Sequence, residues 1–254
     1  MERLSHKKRI TRAIKFSDIM IRPVCIIPAR GGSKGVPKKN IKIIAGKPLI
    51  YYTINSALQS KIFSHVVVST EDKKIASIAK KCGAEVLFMR PKNLATDKTT
   101  MDSVLLHAIK KLNSLGINFD IFVYRDCTCP FIDKHDMKGA IQLLKKSDCY
   151  AVCGSVRAHP SPYFGMWEPN KDGFLKLSKP TNKNIYRRQD APIVYITDGM
   201  FVYWTKKFLK RRQAQPLCPA ITLPYEISRE HGHMIDFEFD FKVAKALLES
   251  KKHK

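Results

Sequence analysis

The segment PARGGSKGVPKKN at residues 28–40 combines the residue types that bind phosphate groups. Its glycines and basic residues are Gly31, Gly32, Gly35, Arg30, Lys34, Lys38 and Lys39. Glycine permits positive φ values and lets backbone N–H groups approach an anion closely. The basic side chains add cationic donors for phosphate oxygens. Neither GxxxxGK[ST] nor GxGxxG is present, so the pattern indicates a phosphate-binding loop of another kind, with a glycine-rich surface turn as the alternative.

The sequence alternates between strand and helix patterns, and this alternation places the loop at the end of the first predicted strand. The apolar run at 24–29 predicts a strand, and ligands bind at the carboxyl ends of strands in open α/β sheets. Further strands are predicted at 65–70, 85–89, 120–126 and 150–156, with helices at 47–58, 72–83, 99–116 and 133–146. This alternation predicts an α/β fold with a mostly parallel sheet and helices on both faces.

The alternation ends near residue 157. Residues 158–198 contain five prolines and an NKDG turn, which predict a β-hairpin inserted in the sheet domain. A core strand at 199–204 and a helix at 238–250 follow. We therefore expect a basic N-terminal extension at 1–22 and one domain at 23–254, with the hairpin insert at about 158–186.

The excess of basic over acidic residues indicates which classes of molecule the protein could bind. A net charge of +24, from 46 Lys and Arg against 22 Asp and Glu, raises nucleic acid as a candidate. The lysines are spread along the chain without interleaved aromatic residues, so we do not expect a nucleic-acid partner. The excess of positive charge is compatible with polyanionic ligands such as nucleotides.

The cysteines and the hydropathy pattern indicate the cellular compartment in which the protein is found. Seven cysteines without a CxxC pair fit a reducing cytoplasm better than a disulfide framework. Cys127-x-Cys129 resembles half of a soft-metal site, but no second pair accompanies it. No apolar stretch approaches the ~20 residues that span a bilayer, and the N-terminus lacks the apolar core of a signal peptide. We expect a cytoplasmic protein without a membrane partner.

Five segments carry a specific resemblance between residue 24 and about residue 250. They are IIPARGGSKGVPKKNIKIIAGKPLIYYTI, VVVSTEDKKIASIAKKCGAEVLFMRP, LATDKTTMDSVLLHA, RRQDAPIVYITDGMFVY and IDFEFDFKVAKALL. In this order they closely resemble the acylneuraminate cytidylyltransferases, the CMP-sialic acid synthetase family that includes the legionaminic and pseudaminic acid enzymes.

The resemblance implies both a fold and a reaction. The fold is a Rossmann-like sheet of the nucleotide-diphospho-sugar transferase type, in which the inserted hairpin is a dimerisation arm that reaches the partner's site. The reaction transfers CMP from CTP to the anomeric hydroxyl of a sialic-acid-like nonulosonic acid and releases pyrophosphate. The implied partners are CTP, a sugar acid and a second copy in a homodimer, and the implied cofactor is Mg²⁺.

The resemblance also implies which residues hold the nucleotide. They are Ala29, Arg30, Gly31, Gly32, Ser33, Lys34, Lys39, Asn40, Arg90, Asp97, Thr99 and Thr100, with Arg30 and Lys34 also catalytic. Two alternatives stay open: Arg90 as a solvated arginine at a strand end, and the Asp97–Thr100 stretch as ordinary capping of the next helix.

The sugar acid and the metal are assigned in the same way. The expected substrate-binding residues are Asp126, Arg188, Gln189, Tyr195, Asp198 and Gly199. Arg188 is expected to meet the sugar carboxylate, with a structural ion pair as the alternative. Asp236 is the expected catalytic Mg²⁺ ligand, since hard oxygen ligands suit this ion. Asp240 is expected to act as a carboxylate at the N-terminus of a helix.

The chain departs from the family pattern at several positions. Met234 replaces the first of three acids, Phe164 replaces a lysine, and Asp198 replaces an asparagine. The family's QPTSPLR segment reads DCTCPFI here, from Asp126 to Ile132. Such exchanges can change the substrate. They also make Asp126 a candidate second metal ligand.

Two other functions remain open from the sequence. One keeps the chemistry and changes the acceptor or base, as in a CMP-Kdo-type or other sugar nucleotidyltransferase. The other is a catalytically silent, basic nucleotide- or RNA-binding protein on the same scaffold.

Overall fold

The computed structural model describes residues 22–33, 35–182, 184–210 and 221–250. Its strands are β1 Val24–Pro28, β2 Ile43–Ile44, β3 Lys47–Pro48, β4 His65–Ser69, β5 Ile121–Arg125, β6 Ala151–Arg157, β7 Trp167–Pro169, β8 Leu175–Leu177, β9 Tyr195–Trp204 and β10 Thr222–Glu226. Its helices are α1 Leu49–Ser60, α2 Lys73–Lys81, α3 Met101–Ser114, α4 Lys134–Lys146, α5 Thr205–Lys210 and α6 Glu238–Ser250. Apart from Arg22, the predicted N-terminal extension lies outside the described residues.

A six-stranded sheet in the order β10-β6-β9-β5-β1-β4 forms the centre of the molecule. β1 pairs in parallel with both β4 and β5, so that Val24 lies opposite His65 and Phe122. β9 runs antiparallel to both of its neighbours, and β10 pairs in parallel with β6. The predicted mostly parallel sheet is confirmed. The carboxyl ends of β1, β4 and β5 lie side by side at the same end of the strands.

Helices cover both faces of this sheet, as the alternation predicted. In β1, Cys25 and Ile27 point into a core formed with α1, α2 and α4. The alternate residues Val24 and Ile26 point into a second core formed with α3 and α5. Because side chains alternate along a strand, a run that is apolar at every position is what a sheet covered on both faces requires.

A third apolar cluster fastens α6 to the edge of the sheet. Phe241 and Ala244 of α6 pack there with Val36 of the loop after β1 and with Phe131 of the loop after β5. Ile235, just before α6, is completely buried in the same cluster. This packing carries the C-terminal acidic segment to the carboxyl ends of the strands.

The prediction of a strand at 85–89 is wrong. Glu85 makes a single bridge to Val67, and then the chain leaves the sheet. Leu87 and Met89 are partly exposed, since β4 is the edge of the sheet and no further element covers them. The chain instead turns so that the Arg90 N–H donates to the Thr70 carbonyl at 2.9 Å, which carries Arg90 back over the end of β4.

Four elements were not predicted: the two-residue strands β2 and β3, which pair with each other, and β10 and α5. β10 contains Pro224, which is tolerated because β10 lies at the sheet edge. α5 has only six residues, too few to show a helical period. The strand predicted at 199–204 is longer than expected, since β9 begins at Tyr195.

The predicted hairpin insert is present between β6 and β9, with strands β7 and β8. Its NKDG turn is closed by Asn170, whose Oδ1 accepts the N–H groups of Asp172 and Phe174 at 3.0 and 2.8 Å. The hairpin exposes large apolar side chains, including Trp167 at 56% and Phe174 at 73%. Large exposed apolar side chains are a feature of interaction surfaces.

The described residues contain no helix that combines the length and apolar character needed to cross a bilayer. Their six cysteines are thiols, most of them buried. Burial raises the pKa of the Cys127 thiol well above its usual range, with the Asp126 carboxylate as a second cause, so this thiol is neutral at physiological pH.

The buried glycine of β9 provides a test of the contact between β9 and the loop after β5. Gly199 has φ +75°, and a Cβ placed there would lie 2.5 Å from Cβ of Cys129. We expect Gly199→Ala to lower the free energy of unfolding in urea by about 1–3 kcal/mol more than Gly173→Ala.

Gly173 is the matched control, since it has φ +86° but open space around it. Both alanines incur the cost of the left-handed backbone, so the difference reports the clash alone. Equal losses for the two variants would contradict the described packing.

Candidate active site

The glycine-rich loop folds back over the ends of β1 and β4. The Ala29 N–H donates to the Ser69 carbonyl at 2.9 Å, and the Gly31 N–H donates to Oε1 of Glu71 at 2.7 Å. The buried Asn40 closes the loop, since its Nδ2 donates to the Arg30 carbonyl at 3.0 Å. Lys34, a predicted catalytic residue, lies outside the described residues.

The glycines of this loop were expected to adopt positive φ values, and the structure gives a different reason for two of them. Gly31, Gly32 and Gly35 are not among the residues with positive φ. Instead, a Cβ at Gly35 would lie 2.4 Å from the Asp236 carbonyl oxygen, and one at Gly31 would lie 2.6 Å from Oδ2 of Asp72. Two of the three glycines therefore allow the loop backbone to approach neighbouring segments, as close packing requires.

A cleft of about 740 Å³ opens between this loop and the other strand ends. It brings together most of the polar residues that the sequence predicted for nucleotide and metal. The predicted residues that line it are Arg30, Ser33, Lys39, Asn40, Arg90, Asp97, Thr99, Asp126 and Asp236. Ala29 is buried behind the loop, and Thr100 instead caps α3, since its Oγ1 accepts the Ser103 N–H.

Each described basic residue that lines the cleft is paired with an acid. Arg30 meets Asp97 at 2.8 Å between side chains that are 38% and 51% exposed. Lys39 donates to Oδ1 of Asp236 at 2.7 Å and to the Ile235 carbonyl at 2.9 Å. An exposed ion pair contributes only about 0–1 kcal/mol, so the Arg30 pair is readily exchanged.

The third pair is different because it is nearly buried. Nη2 of Arg90 lies 2.6 Å from Oε2 of Glu71, and the two side chains are 3% and 14% exposed. Removing one partner of such a pair costs roughly 3–5 kcal/mol, because the other charge is left uncompensated. The solvated-arginine alternative for Arg90 is therefore wrong, and Arg90 is a fixed wall of the cleft.

Glu71 was missed by the sequence reasoning. Its carboxylate binds the loop through Gly31 and the cleft wall through Arg90, so it positions two predicted nucleotide contacts at once. The signal that identifies it is its place, since it follows β4 at the same edge where Asp126 follows β5. Thr128 and Phe237 also line the cleft and were also missed.

The loop after β5 brings Asp126 into the cleft. Tyr124 donates its hydroxyl to Oδ2 of Asp126 at 3.0 Å, and the Thr128 N–H donates to Oδ1 at 3.0 Å. The Thr128 carbonyl in turn accepts the Ile235 N–H at 2.9 Å. This last bond ties the Asp126 loop directly to the segment that carries Asp236.

A completely buried arginine supports the same loop. Nη1 of Arg125 donates to the Ile132 carbonyl at 3.2 Å, and Nη2 donates to the Cys129 carbonyl at 3.1 Å. Burial lowers the pKa of the guanidinium, and nearby Cys25, Cys129 and Asp136 act in the opposite direction. An arginine of this kind fixes the backbone of the segment that departs from the family pattern.

Two of the three acids considered as ligands of a hard cation, Asp126 and Asp236, lie in the cleft, and the third, Asp240, does not. Asp126 and Asp236 line one cleft from two linked segments, and carboxylate oxygens are the ligands that Mg²⁺ takes. Asp240 does not line the cleft. Its Oδ2 accepts the N–H groups of Asp236 and Phe237 at 2.8 and 2.7 Å, which confirms the expected role at the helix start.

A second group of acids lies outside the cleft. Asp133, Asp136 and His231 have ligand atoms within 4.8 Å of one another. Asp133 and Asp136 form a capping box at the start of α4, and His231 Nδ1 lies 2.6 Å from Oδ2 of Asp136. These bonds account for the cluster as a helix cap joined to the loop before α6.

Among the predicted sugar-binding residues whose side chains the structure describes, only Asp126 lines the cleft of its own chain. Arg188 contacts His159, Gln189 is exposed, and the Tyr195 hydroxyl donates to Oε2 of Glu226 at 3.3 Å. The Gly199 carbonyl accepts the Asp126 N–H at 2.9 Å, so the role of Gly199 in the described structure is backbone support. The side chain of Asp198 lies outside the described residues.

Two curated proteins are similar to this chain over most of its length. The pseudaminic acid cytidylyltransferase of Campylobacter jejuni is 43% identical over 185 residues, which cover 72% of this chain and 78% of that protein. The CMP-N,N'-diacetyllegionaminic acid synthase of the same species is 32% identical over 229 residues, which cover 90% of this chain and 95% of that protein.

A solved structure shows the same fold at low identity. It is a CMP:2-keto-3-deoxy-manno-octonic acid synthetase complexed with CTP, with a TM-score of 0.70 at 18% identity. The match covers 91% of this chain and 99% of that one. It supports a Rossmann-like nucleotidyltransferase fold.

The sequence profile of one family matches almost the whole described chain. It is the profile described as "Cytidylyltransferase", and it covers residues 24–252. Together with the curated relatives above 30% identity, this match shows that the chain belongs to the cytidylyltransferase family.

Proposed function

We propose that this protein transfers CMP from CTP to the anomeric hydroxyl of a sialic-acid-like nonulosonic acid and releases pyrophosphate. The observation that carries the proposal is the cleft at the carboxyl ends of β1, β4 and β5. Arg30, Lys39 and Arg90 line it together with the carboxylates of Asp126 and Asp236.

The chemistry requires positioning and charge stabilisation more than covalent help. The sugar hydroxyl oxygen forms a bond to the α-phosphorus of CTP and gives up its proton to solvent, while the bond from that phosphorus to the bridging oxygen of the β-phosphate breaks and pyrophosphate departs. Arg30 and Lys39 are placed to stabilise the charge that develops on the phosphate oxygens. Arg90, held by Glu71, keeps a fixed donor in the cleft wall.

We propose Mg²⁺ as the cofactor, held by Asp236 with Asp126 as a second ligand. When bound, the ion neutralises part of the charge on the departing pyrophosphate. Asp236 keeps its place through Lys39 and through the backbone bond between Ile235 and Thr128. The segment around Asp236 is therefore already ordered for such a ligand.

The acceptor is inferred from the relatives and from one side chain. The relatives that cover most of this chain carry names of pseudaminic and legionaminic acid enzymes. Arg188 is a bidentate donor of the kind that matches the carboxylate of such an acid. A CMP-Kdo-type acceptor has weaker support, since it rests on a fold match at 18% identity.

We also propose that two copies form a homodimer through the hairpin arm. The arm exposes Trp167, Phe174 and Leu175, and the predicted sugar-binding residues Arg188 and Gln189 lie outside the cleft of their own chain. A partner that packs on this apolar surface would complete the sugar site. The buried thiols support a reducing, cytoplasmic location for the dimer.

The first test is release of pyrophosphate from CTP with a panel of nonulosonic acids in the presence of Mg²⁺. We expect Asp236→Asn to lower kcat/KM by about a hundredfold or more, because charge stabilisation in the transition state is lost.

Glu238→Gln is the matched control. Glu238 pairs with Lys42 outside the cleft, so this variant is expected to keep its activity. Failure of the wild-type protein with every acid would contradict the proposal and favour the silent nucleotide- or RNA-binding protein.

The second test concerns the proposed metal ligand Asp126. We expect Asp126→Asn to raise the Mg²⁺ concentration that gives the half-maximal rate, since one anionic oxygen ligand is lost. Tyr124→Phe removes the hydroxyl that donates to Asp126 but leaves the carboxylate, and it serves as the control. An unchanged metal dependence in Asp126→Asn would refute this ligand.

The third test asks whether Arg188 acts across the dimer. Arg188→Ala and Asp236→Asn chains are co-expressed with different tags, and the mixed dimer is isolated. If Arg188 serves the partner's cleft, one of the two sites is intact and activity returns.

A mixed dimer as inactive as its parents would show that no such exchange occurs. Arg187→Ala provides the control for the neighbouring arginine, because Arg187 is already bonded to Asp190. We expect this variant to keep its activity.

A further inference from the structure

The fold gathers many of the lysines that are scattered along the sequence at one end of the molecule. β1, β4 and β5 run in one direction, and β6 runs with them because β9 is antiparallel to both β5 and β6. Helices α1 to α4 therefore lead the chain back to the amino ends of these strands, and their C-termini lie opposite the cleft. α5 begins at the same end, since the Thr205 N–H donates to the Asp120 carbonyl at 2.8 Å.

We call this end the amino-end face and define it by α5 together with four segments, which are residues 58–64, 80–84, 110–120 and 145–150. These segments contain no arginine and only two acids, of which Asp148 already pairs with Lys207 at 3.2 Å. Apart from Lys207, every lysine of the face is exposed, namely Lys61, Lys80, Lys81, Lys110, Lys111, Lys145, Lys146, Lys206 and Lys210. The face therefore carries a large excess of positive charge.

The helix dipole explains part of this surface, because lysines in the last turn of a helix are stabilised by it. That reason applies to the lysine pairs that end α2 and α4. It does not apply to Lys206, which lies in the first turn of α5, where a cation is unfavourable. It also does not explain the apolar side chains that lie among the lysines.

Three leucines of the amino-end face are exposed to solvent. They are 37%, 54% and 39% exposed, and they are Leu58 in the last turn of α1, Leu115 after α3 and Leu209 in α5. The aromatic rings of the face are turned inward instead. Phe63, Phe119 and Phe208 are buried, and Tyr150 packs against the core. The described face thus combines lysines with aliphatic side chains and presents no exposed aromatic ring.

We propose that the amino-end face binds the surface of a lipid bilayer that carries anionic headgroups. Lysine is a compact point charge that suits a diffuse anionic surface, whereas recognition of an individual phosphate favours the planar fork of arginine. Aliphatic side chains between the lysines can enter the boundary between headgroups and acyl chains. Single-stranded nucleic acid is a poorer match, because its bases stack on exposed aromatic rings.

A contact at this face leaves the cleft and the hairpin arm free. The cleft lies at the carboxyl ends of β1, β4 and β5. The arm leaves β6 after Arg157 and returns at Tyr195, and these two residues pair with each other at that same end. A surface contact needs no spanning segment, so the expectation of no membrane partner, which rested on the absence of such a segment, does not exclude it. The inference does not rest on the proposed function.

Co-sedimentation of the full-length protein with lipid vesicles tests the proposal. One set of vesicles contains phosphatidylcholine and phosphatidylglycerol in equal parts, and the other contains phosphatidylcholine alone. We expect the wild type to sediment with the anionic vesicles only, and less so as the salt concentration rises. Every protein compared retains residues 1–22, so a difference between variants reports the amino-end face and not the basic N-terminal segment.

A triple variant removes charge from three elements of the face, through Lys110→Gln, Lys146→Gln and Lys206→Gln. We expect it to bind anionic vesicles at least about tenfold more weakly than the wild type, because each lysine near an anionic surface contributes to the attraction. The matched control removes the same charge from exposed lysines in the first turns of α2 and α4, through Lys73→Gln, Lys74→Gln and Lys134→Gln. These lysines lie at the other end of the sheet and do not line the cleft, so the control is expected to bind like the wild type.

A further variant distinguishes a bilayer from a soluble polyanion. We expect Leu115→Ser to weaken binding to anionic vesicles about threefold or more, since an aliphatic contact with the bilayer is lost. Its binding to a double-stranded RNA is expected to equal that of the wild type. Ile43→Ser is the control, because Ile43 is 63% exposed but lies on β2, outside the amino-end face.

Three results would overturn the inference. The first is a wild-type protein that does not sediment with anionic vesicles, and the second is an equal loss of binding in the two triple variants. The third is a Leu115→Ser protein that binds vesicles like the wild type, which would indicate a soluble polyanion such as RNA as the partner. The readout does not involve CTP, so failure of the proposed function would leave this inference standing.

Discussion

The bonds that Lys39 makes to the segment before α6 hold the site together. Lys39 belongs to the first loop of the chain, and its Nζ reaches both the Ile235 carbonyl and Asp236 near the other end. Gly35 permits this contact, because any side chain there would collide with the Asp236 carbonyl. The bond from Ile235 to Thr128 then adds the loop after β5. Three strand-end segments are thus joined through one short stretch of backbone, and the geometry of the cleft depends on that junction.

The parts of this arrangement that sequence could predict are those with local causes. The alternation of strands and helices follows from residue periodicity, and the loop after β1 follows from its glycines and basic residues. The pairing of charges could not be predicted, because Glu71 meets Gly31 and Arg90 only after β1 and β4 lie side by side. The failure at 85–89 has the same origin, since a β-branched or apolar run becomes a strand only where a partner remains beside it. Most helices and strands, and the residues at single strand ends, were therefore predicted from the sequence. The hydrogen bonds and ion pairs between residues at different strand ends were not.

The segment after β5 that departs from the family pattern is supported by the buried side chain of Arg125. The family resemblance predicted that the exchange of QPTSPLR for DCTCPFI can change the substrate and makes Asp126 a candidate metal ligand. The structure places a buried guanidinium beneath that loop, bonded to the carbonyls of Cys129 and Ile132. Its Nη1 and Nη2 find acceptors in these two carbonyls, so the loop backbone and Arg125 hold each other in place, although the buried Nε has no hydrogen-bond partner among the described residues. In the described structure the changed segment supports Asp126 and Thr128 from below.

The positive charge of the chain and the ion pairs among the described cleft residues act over different distances. At physiological ionic strength, charges are screened beyond about 8 Å, so the surface lysines act on anions in general as these approach. Inside the cleft, the contacts of Arg30, Lys39 and Arg90 with acids decide how much of that attraction a phosphate group still finds. A strongly basic surface can therefore coexist with a selective cleft. The surface attracts polyanions in general, whereas a phosphate group that enters the cleft meets described cations that are already paired with acids.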